Sequence, residues 1–124
     1  MPQAISPAQD SAALLAKATL RAADQMGLRQ GELARVLGLS PATTSRLRSG
    51  AWRLPTGSKA WELATIFVRV YRSLAAITGG DAEAMRAWLH SGNDALGGEP
   101  ATMMLAAEGL ISVLRYLDAA RGHI

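Results

Sequence analysis

The segment from Gln30 to Gly50, QGELARVLGLSPATTSRLRSG, constrains this chain more than any other. Two short helices that cross closely need a small side chain at their point of contact, and Ala34 supplies it. The turn between them needs a residue that tolerates positive φ, and Gly38 stands four positions later. Ser40 offers an N-cap to the second helix, and Pro41 fills its first position, where no backbone N–H is required. Leu33, Leu37, Leu39 and Leu47 fall where side chains must turn inward to hold the pair together. This spacing predicts helices from about Arg29 to Leu37 and from Pro41 to about Ser49, with Gly50 as the stop.

The rest of the chain is punctuated in the same way. A helix is expected from about Asp10 to Met26, with Ala13, Leu14, Ala18 and Ala22 among its small and apolar positions and Gly27 at its end. The connector AWRLPTGS is rich in turn residues and marks a candidate domain boundary. A long helix should follow from about Lys59 to Thr78, closed by Gly79-Gly80. Asp81 caps a helix reaching Leu89 or His90, SGNDALGG forms a loop, and Pro100 opens a short helix through Ala106. The last helix should run from about Glu108 to Ala120. In the long helix Leu63, Ile66, Phe67, Val70, Leu74 and Ile77 make one stripe, and Trp61, Ala64, Val68, Tyr71 and Ala75 make a second. Only Glu62, Thr65, Arg69, Arg72 and Ser73 define a polar face. An apolar surface this broad predicts more than one neighbour, either as the central helix of one core or partly as an interface with a partner.

Composition narrows the class. Hydrophobic residues make up 49% of the 124, enough for a packed interior. Alanine and leucine dominate, and β-branched and aromatic residues are too sparse for an all-β fold. Cysteine is absent, which excludes disulfides, thiolate metal sites and cysteine nucleophiles. No apolar run approaches the roughly 20 residues of a membrane span. The leader MPQAISPAQDS lacks the basic start and apolar stretch of a secretory signal, so the expected compartment is the cytoplasm. From Met1 to Thr56 seven basic residues face three acids, and from Gly57 to Ile124 six face seven, giving +4 and −1. A basic first half suggests a polyanionic partner for that half only.

The Gln30–Gly50 spacing resembles the helix-turn-helix of Cro-type and Xre-type repressors, with Thr44 standing where an aliphatic residue is usual. The resemblance implies that the second helix enters a DNA major groove with Pro41, Ala42, Ser45, Arg46 and Ser49 outward. Arg46 is the expected base reader, bonding both acceptors of a guanine, and Ala42 is placed to touch a thymine methyl. Gln30 matches the family's phosphate-binding position, and Arg48 and Arg53 are expected phosphate partners. The alternative is a degenerate motif kept only for packing or dimerisation. Trp52 reads either as a core anchor or as a partner contact, with the core favoured.

Further on, Trp88-Leu89, Asn93, Leu96-Gly97-Gly98, Pro100, Leu105, Gly109, Val113, Leu117 and Gly122 recur in a distinctive order. From about Leu63 to Gly122 this resembles the C-terminal toxin-binding domain of the Xre/MbcA/ParS antitoxin family, with Glu99 where Thr or Ser usually caps the following helix. Most of these residues read as architecture: glycines for a turn, a proline to start a helix, apolar residues at helical spacing. The resemblance implies a cognate toxin, commonly a RES-domain enzyme that consumes NAD, and a C-terminal region that reaches the toxin's cleft. That points to Arg115, Tyr116, Asp118, Ala119, Arg121, Gly122, His123 and Ile124, with the terminal carboxylate standing in for a substrate phosphate.

Catalysis in the chain itself is not expected. His90 sits at a helix end, His123 lies in the tail, and Asp81, Glu83 and Asp94 are spaced as caps and surface charges. No metal site and no cofactor is predicted. The expectation is an all-α protein: residues 1–9 a flexible leader, 10–56 a helix-turn-helix bundle that binds operator DNA, 57–124 a helical toxin-binding and dimerisation domain. It should act as a homodimeric antitoxin that represses its own operon. The alternative is a free-standing dimeric regulator whose second half serves only dimerisation.

Overall fold

A computed structural model describes residues 7–122. Residues 1–6 of the expected leader, and His123 and Ile124 of the expected toxin-binding tail, lie outside the described residues. Seven helices follow in order among the described residues: α1 (Pro7–Met26), α2 (Gln30–Leu37), α3 (Pro41–Ser49), α4 (Lys59–Thr78), α5 (Ala82–Leu89), α6 (Pro100–Met103) and α7 (Ala107–Ala120). The fold is all-α, with one isolated bridge between Asn93 and Gly98.

Caps account for most boundaries. The Ser58 hydroxyl accepts the Trp61 N–H at 3.1 Å to start α4, and the Asp81 carboxylate accepts the Glu83 N–H at 3.0 Å to start α5. Two bounds differ from expectation. Helix α1 begins at Pro7 rather than Asp10, proline being well suited to a first helical turn. Helix α6 ends at Met103 rather than Ala106, because Ala106 is extended and α7 sets off in a new direction. That corner is tight: a Cβ on Gly109 would run into the Met103 carbonyl, so only glycine fits.

Helix α4 is the central element, packed against α1 and α2 on one side and α5 and α7 on others. Phe67, Val70 and Leu74 of its first stripe and Ala64 of its second are fully buried. One continuous core joins Ala23, Met26, Leu33 and Leu37 from the first half to Met85, Leu89, Leu110 and Leu117 from the second. Two residues of α4 depart from the expected pattern. Ile77, at the end of the first stripe, is 48% exposed, since the core runs out near the helix end. Ser73, placed on the polar face, is buried, and its hydroxyl is satisfied by two side chains of the chain's C-terminal end.

Arg86 of α5 ties the halves together. Its guanidinium donates to the carbonyls of Asp24 (2.8 Å) and Gln25 (3.2 Å), closing the C-terminus of α1. It lies over Gly27, whose φ is 73°; a Cβ there would come within 2.8 Å of the Arg86 Nε.

Candidate functional site

Helix α3 is locally specified. The Ser40 hydroxyl accepts the Thr43 N–H at 3.1 Å and donates to the Thr43 hydroxyl at 3.0 Å. Gly38 and Gly50 bracket the helix in the left-handed conformation, with φ of 67° and 83°. Leu33, Leu37 and Leu47 are buried as expected, and Leu39 packs half-buried against them. Thr44 is buried too: its hydroxyl donates to the Ser40 carbonyl at 2.9 Å, and that bond is what lets a polar residue occupy the aliphatic position. Trp52 is half-buried against the same core.

With Thr44 and Leu47 turned inward, Pro41, Ala42, Ser45, Arg46 and Ser49 form an exposed strip along α3. Among the described residues the Arg46 guanidinium bonds only the Thr43 hydroxyl, at 3.3 Å, and it remains open to solvent. Arg53 is exposed and makes no ion pair among the described residues.

Arg48 is differently placed. Its Nη1 and Nη2 donate to the two carboxylate oxygens of Asp24 at 3.3 and 3.1 Å, and its Nε donates to the Gln30 Oε1 at 3.1 Å. Two of the three expected phosphate partners, Gln30 and Arg48, are thus brought together, with Arg48 held by a fork on α1, while Arg53 stands apart from them. With its oxygen occupied, the Gln30 amide has its N–H donors left for another acceptor. Sequence reasoning missed Asp24; it lies 24 residues from Arg48, and no local spacing signals the pair.

At the start of α2, the Glu32 carboxylate accepts the Arg29 backbone N–H at 2.8 Å. That bond, reinforced by the Arg29 side chain at 3.3 Å, holds the Glu32 carboxyl below the usual carboxylate range. On α4 the Glu62 carboxylate, 2.8 Å from Lys59, raises the lysine's affinity for its proton.

The C-terminal residues divide into two groups. Asp118 accepts the Ser73 hydroxyl at 2.9 Å and Arg69 at 3.2 Å, while Arg121 donates to the Ser73 oxygen at 3.0 Å. Tyr116 is half-buried, its ring stacked on Trp88 with centroids 6.1 Å apart. Arg115, Ala119, Arg121 and Gly122 are exposed. In the loop before α6, the Asn93 carbonyl accepts from Gly97 (2.9 Å) and Gly98 (3.2 Å), and its side chain accepts from Leu96 (3.1 Å). Glu99 makes no side-chain cap to the backbone of α6; it accepts from the Thr102 hydroxyl at 3.3 Å and faces His90 Nδ1 at 3.5 Å. Among the described residues no three His, Asp or Glu side chains converge on a possible metal.

A two-helix corner with an exposed, capped second helix, set in a basic half and sharing its core with further helices, defines a helix-turn-helix protein with an added helical domain. The chain belongs to the Xre/MbcA/ParS antitoxins: the Xre-like antitoxin helix-turn-helix domain matches residues 7–69, and the antitoxin Xre/MbcA/ParS C-terminal toxin-binding domain matches residues 73–122. No curated protein matches the chain. No helix among the described residues is long and apolar enough to cross a membrane.

Proposed function

We propose that this antitoxin neutralises a RES-type, NAD-consuming toxin in the cytoplasm by direct binding and, as a homodimer, represses its own operon. The observation that carries the reading is the presence on one chain of both antitoxin domains, together spanning nearly all the described residues. Arg46 reads a guanine edge, Ala42 meets a thymine methyl, Pro41 and Ser45 line the groove contact, and Gln30 and Arg53 bind phosphates. Arg48 acts on the same backbone contact through Gln30, which it holds. Two copies read two half-sites, since a two-fold operator requires two recognition helices.

On the toxin side, Arg115, Ala119, Arg121 and Gly122 present free surface, and with His123 and Ile124 they enter the toxin's cleft. Tyr116 and Asp118 support this end from within, through Trp88 and Ser73. The test is co-expression with the product of the neighbouring gene, followed by purification of either partner. A stable complex with rescued growth is expected, and deletion of residues 121–124 should restore toxicity. A complex that still neutralises after the deletion removes the tail from the mechanism. Absence of both complex and rescue would favour the free-standing dimeric regulator.

A further inference from the structure

An open trough of about 560 Å³ runs between α1 and α4. Leu14, Ala18, Val68 and Tyr71 supply its apolar lining, and Lys17, Arg21 and Arg72 its charge. The spacing explains the arrangement: Leu14, Lys17 and Arg21 follow one face of α1 at three- and four-residue steps, and Val68, Tyr71 and Arg72 do the same on α4. Leu14 is 69% exposed, the most exposed large apolar side chain among the described residues. A single exposed leucine needs no explanation, but one set in a groove between three cations does.

Those three cations are among the nine of the chain's thirteen that form no ion pair among the described residues. Arg29, Arg48, Lys59 and Arg69 each stand against a carboxylate. Lys17, Arg21 and Arg72 pair with none among the described residues, and no acid lines the trough. We propose that this trough docks an acidic amphipathic segment of the partner toxin, with an apolar side chain against Leu14 and Val68 and carboxylates on Lys17, Arg21 and Arg72. The inference rests on the toxin-binding reading and adds a contact away from the C-terminal tail, where α1 of the first half meets α4.

Charge decides between occupants. A second copy docked two-fold would set these cations against themselves, with no acid in the trough to answer them. A nucleic-acid backbone would satisfy the cations yet leave the apolar lining uncovered. An acidic segment with an apolar anchor meets both requirements.

The test uses the full chain with its toxin and two variants, Leu14→Asp and the triple Lys17→Glu/Arg21→Glu/Arg72→Glu. All four positions are exposed, and circular dichroism should show both variants folded. The triple variant should weaken toxin binding by about tenfold or more and flatten its salt dependence. Leu14→Asp should weaken it several-fold and keep wild-type operator affinity, and the triple variant should keep the wild-type operator salt slope, any loss of affinity there being the uniform effect of its changed net charge. Wild-type toxin affinity in both variants overturns the proposal. If operator binding falls instead, with a shallower salt slope, the trough carries nucleic acid. If Leu14→Asp dissociates a dimer by light scattering while toxin binding persists, the occupant is a second copy. A wild-type chain that captures no toxin defeats the underlying reading before either variant is compared.

Discussion

Arg46, Arg48 and Arg53 are three arginines within eight positions, and their surroundings separate their tasks. A guanidinium in solvent can release counterions when it meets a phosphate, whereas one already neutralised by a carboxylate gains little. Arg53→Ala should therefore weaken operator binding on all sequences and reduce the log–log salt slope by about 1. Arg48→Met should weaken binding with a nearly unchanged slope, because Arg48 is already matched by Asp24 and its loss acts through Gln30. Arg46→Ala should cost about 1–3 kcal/mol on the operator and relax preference at one base pair. Titrations of operator and scrambled duplex at several salt concentrations read all three. A slope change for Arg48→Met as large as that for Arg53→Ala would show that Arg48 leaves Asp24 for a phosphate. In the sequence Arg48 and Arg53 have equal standing, since the motif is visible there and the carboxylate 24 residues away is not.

At the scale of single elements, the caps make a pH-dependent prediction. Glu32 closes the first turn of α2 by accepting the Arg29 N–H, and that bond lowers its carboxyl pKa in the folded state. A lowered folded value means that the unfolded chain takes up the proton first on acidification. The stabilisation is therefore complete above the ordinary glutamate range and is lost as pH falls through the folded value. Glu32→Gln should flatten the loss of stability as pH falls from the ordinary glutamate range downward, measured by urea unfolding. An unchanged pH profile would assign the acid sensitivity to other carboxylates. The helices are largely legible in the sequence, because Ser40, Asp81, Gly38, Gly79 and Pro100 act within three or four residues of themselves. The end of α6 is not: the break after Met103 depends on α7 meeting the Met103 carbonyl at Gly109, a contact made by the packing of two elements.

The molecule is held together across its two family domains by one core and by Arg86. The guanidinium of Arg86 stops the carbonyls at the end of α1, and the Asp24 side chain from the same turn holds Arg48 of α3. Arg86→Ala should lower stability by about 1–2 kcal/mol, read as a fall of a few degrees in Tm, with unfolding still a single transition. Two separate transitions would mean that the halves do not share their cooperativity despite the common core. The all-α class, the positions of the helices and the outward strip of α3 follow from the amino-acid order, because periodicity, caps and left-handed glycines are local chemistry. The family resemblance is of the same kind, depending on the order of a few turn and core residues. Packing in three dimensions was needed to bury Ser73 under Asp118 and Arg121, to leave Ile77 facing solvent, and to set Arg48 against Asp24. It was needed equally for the basic trough between α1 and α4. Each of these depends on residues far apart in the chain meeting across helices, and a periodic pattern states which face of a helix is apolar without stating what will cover it.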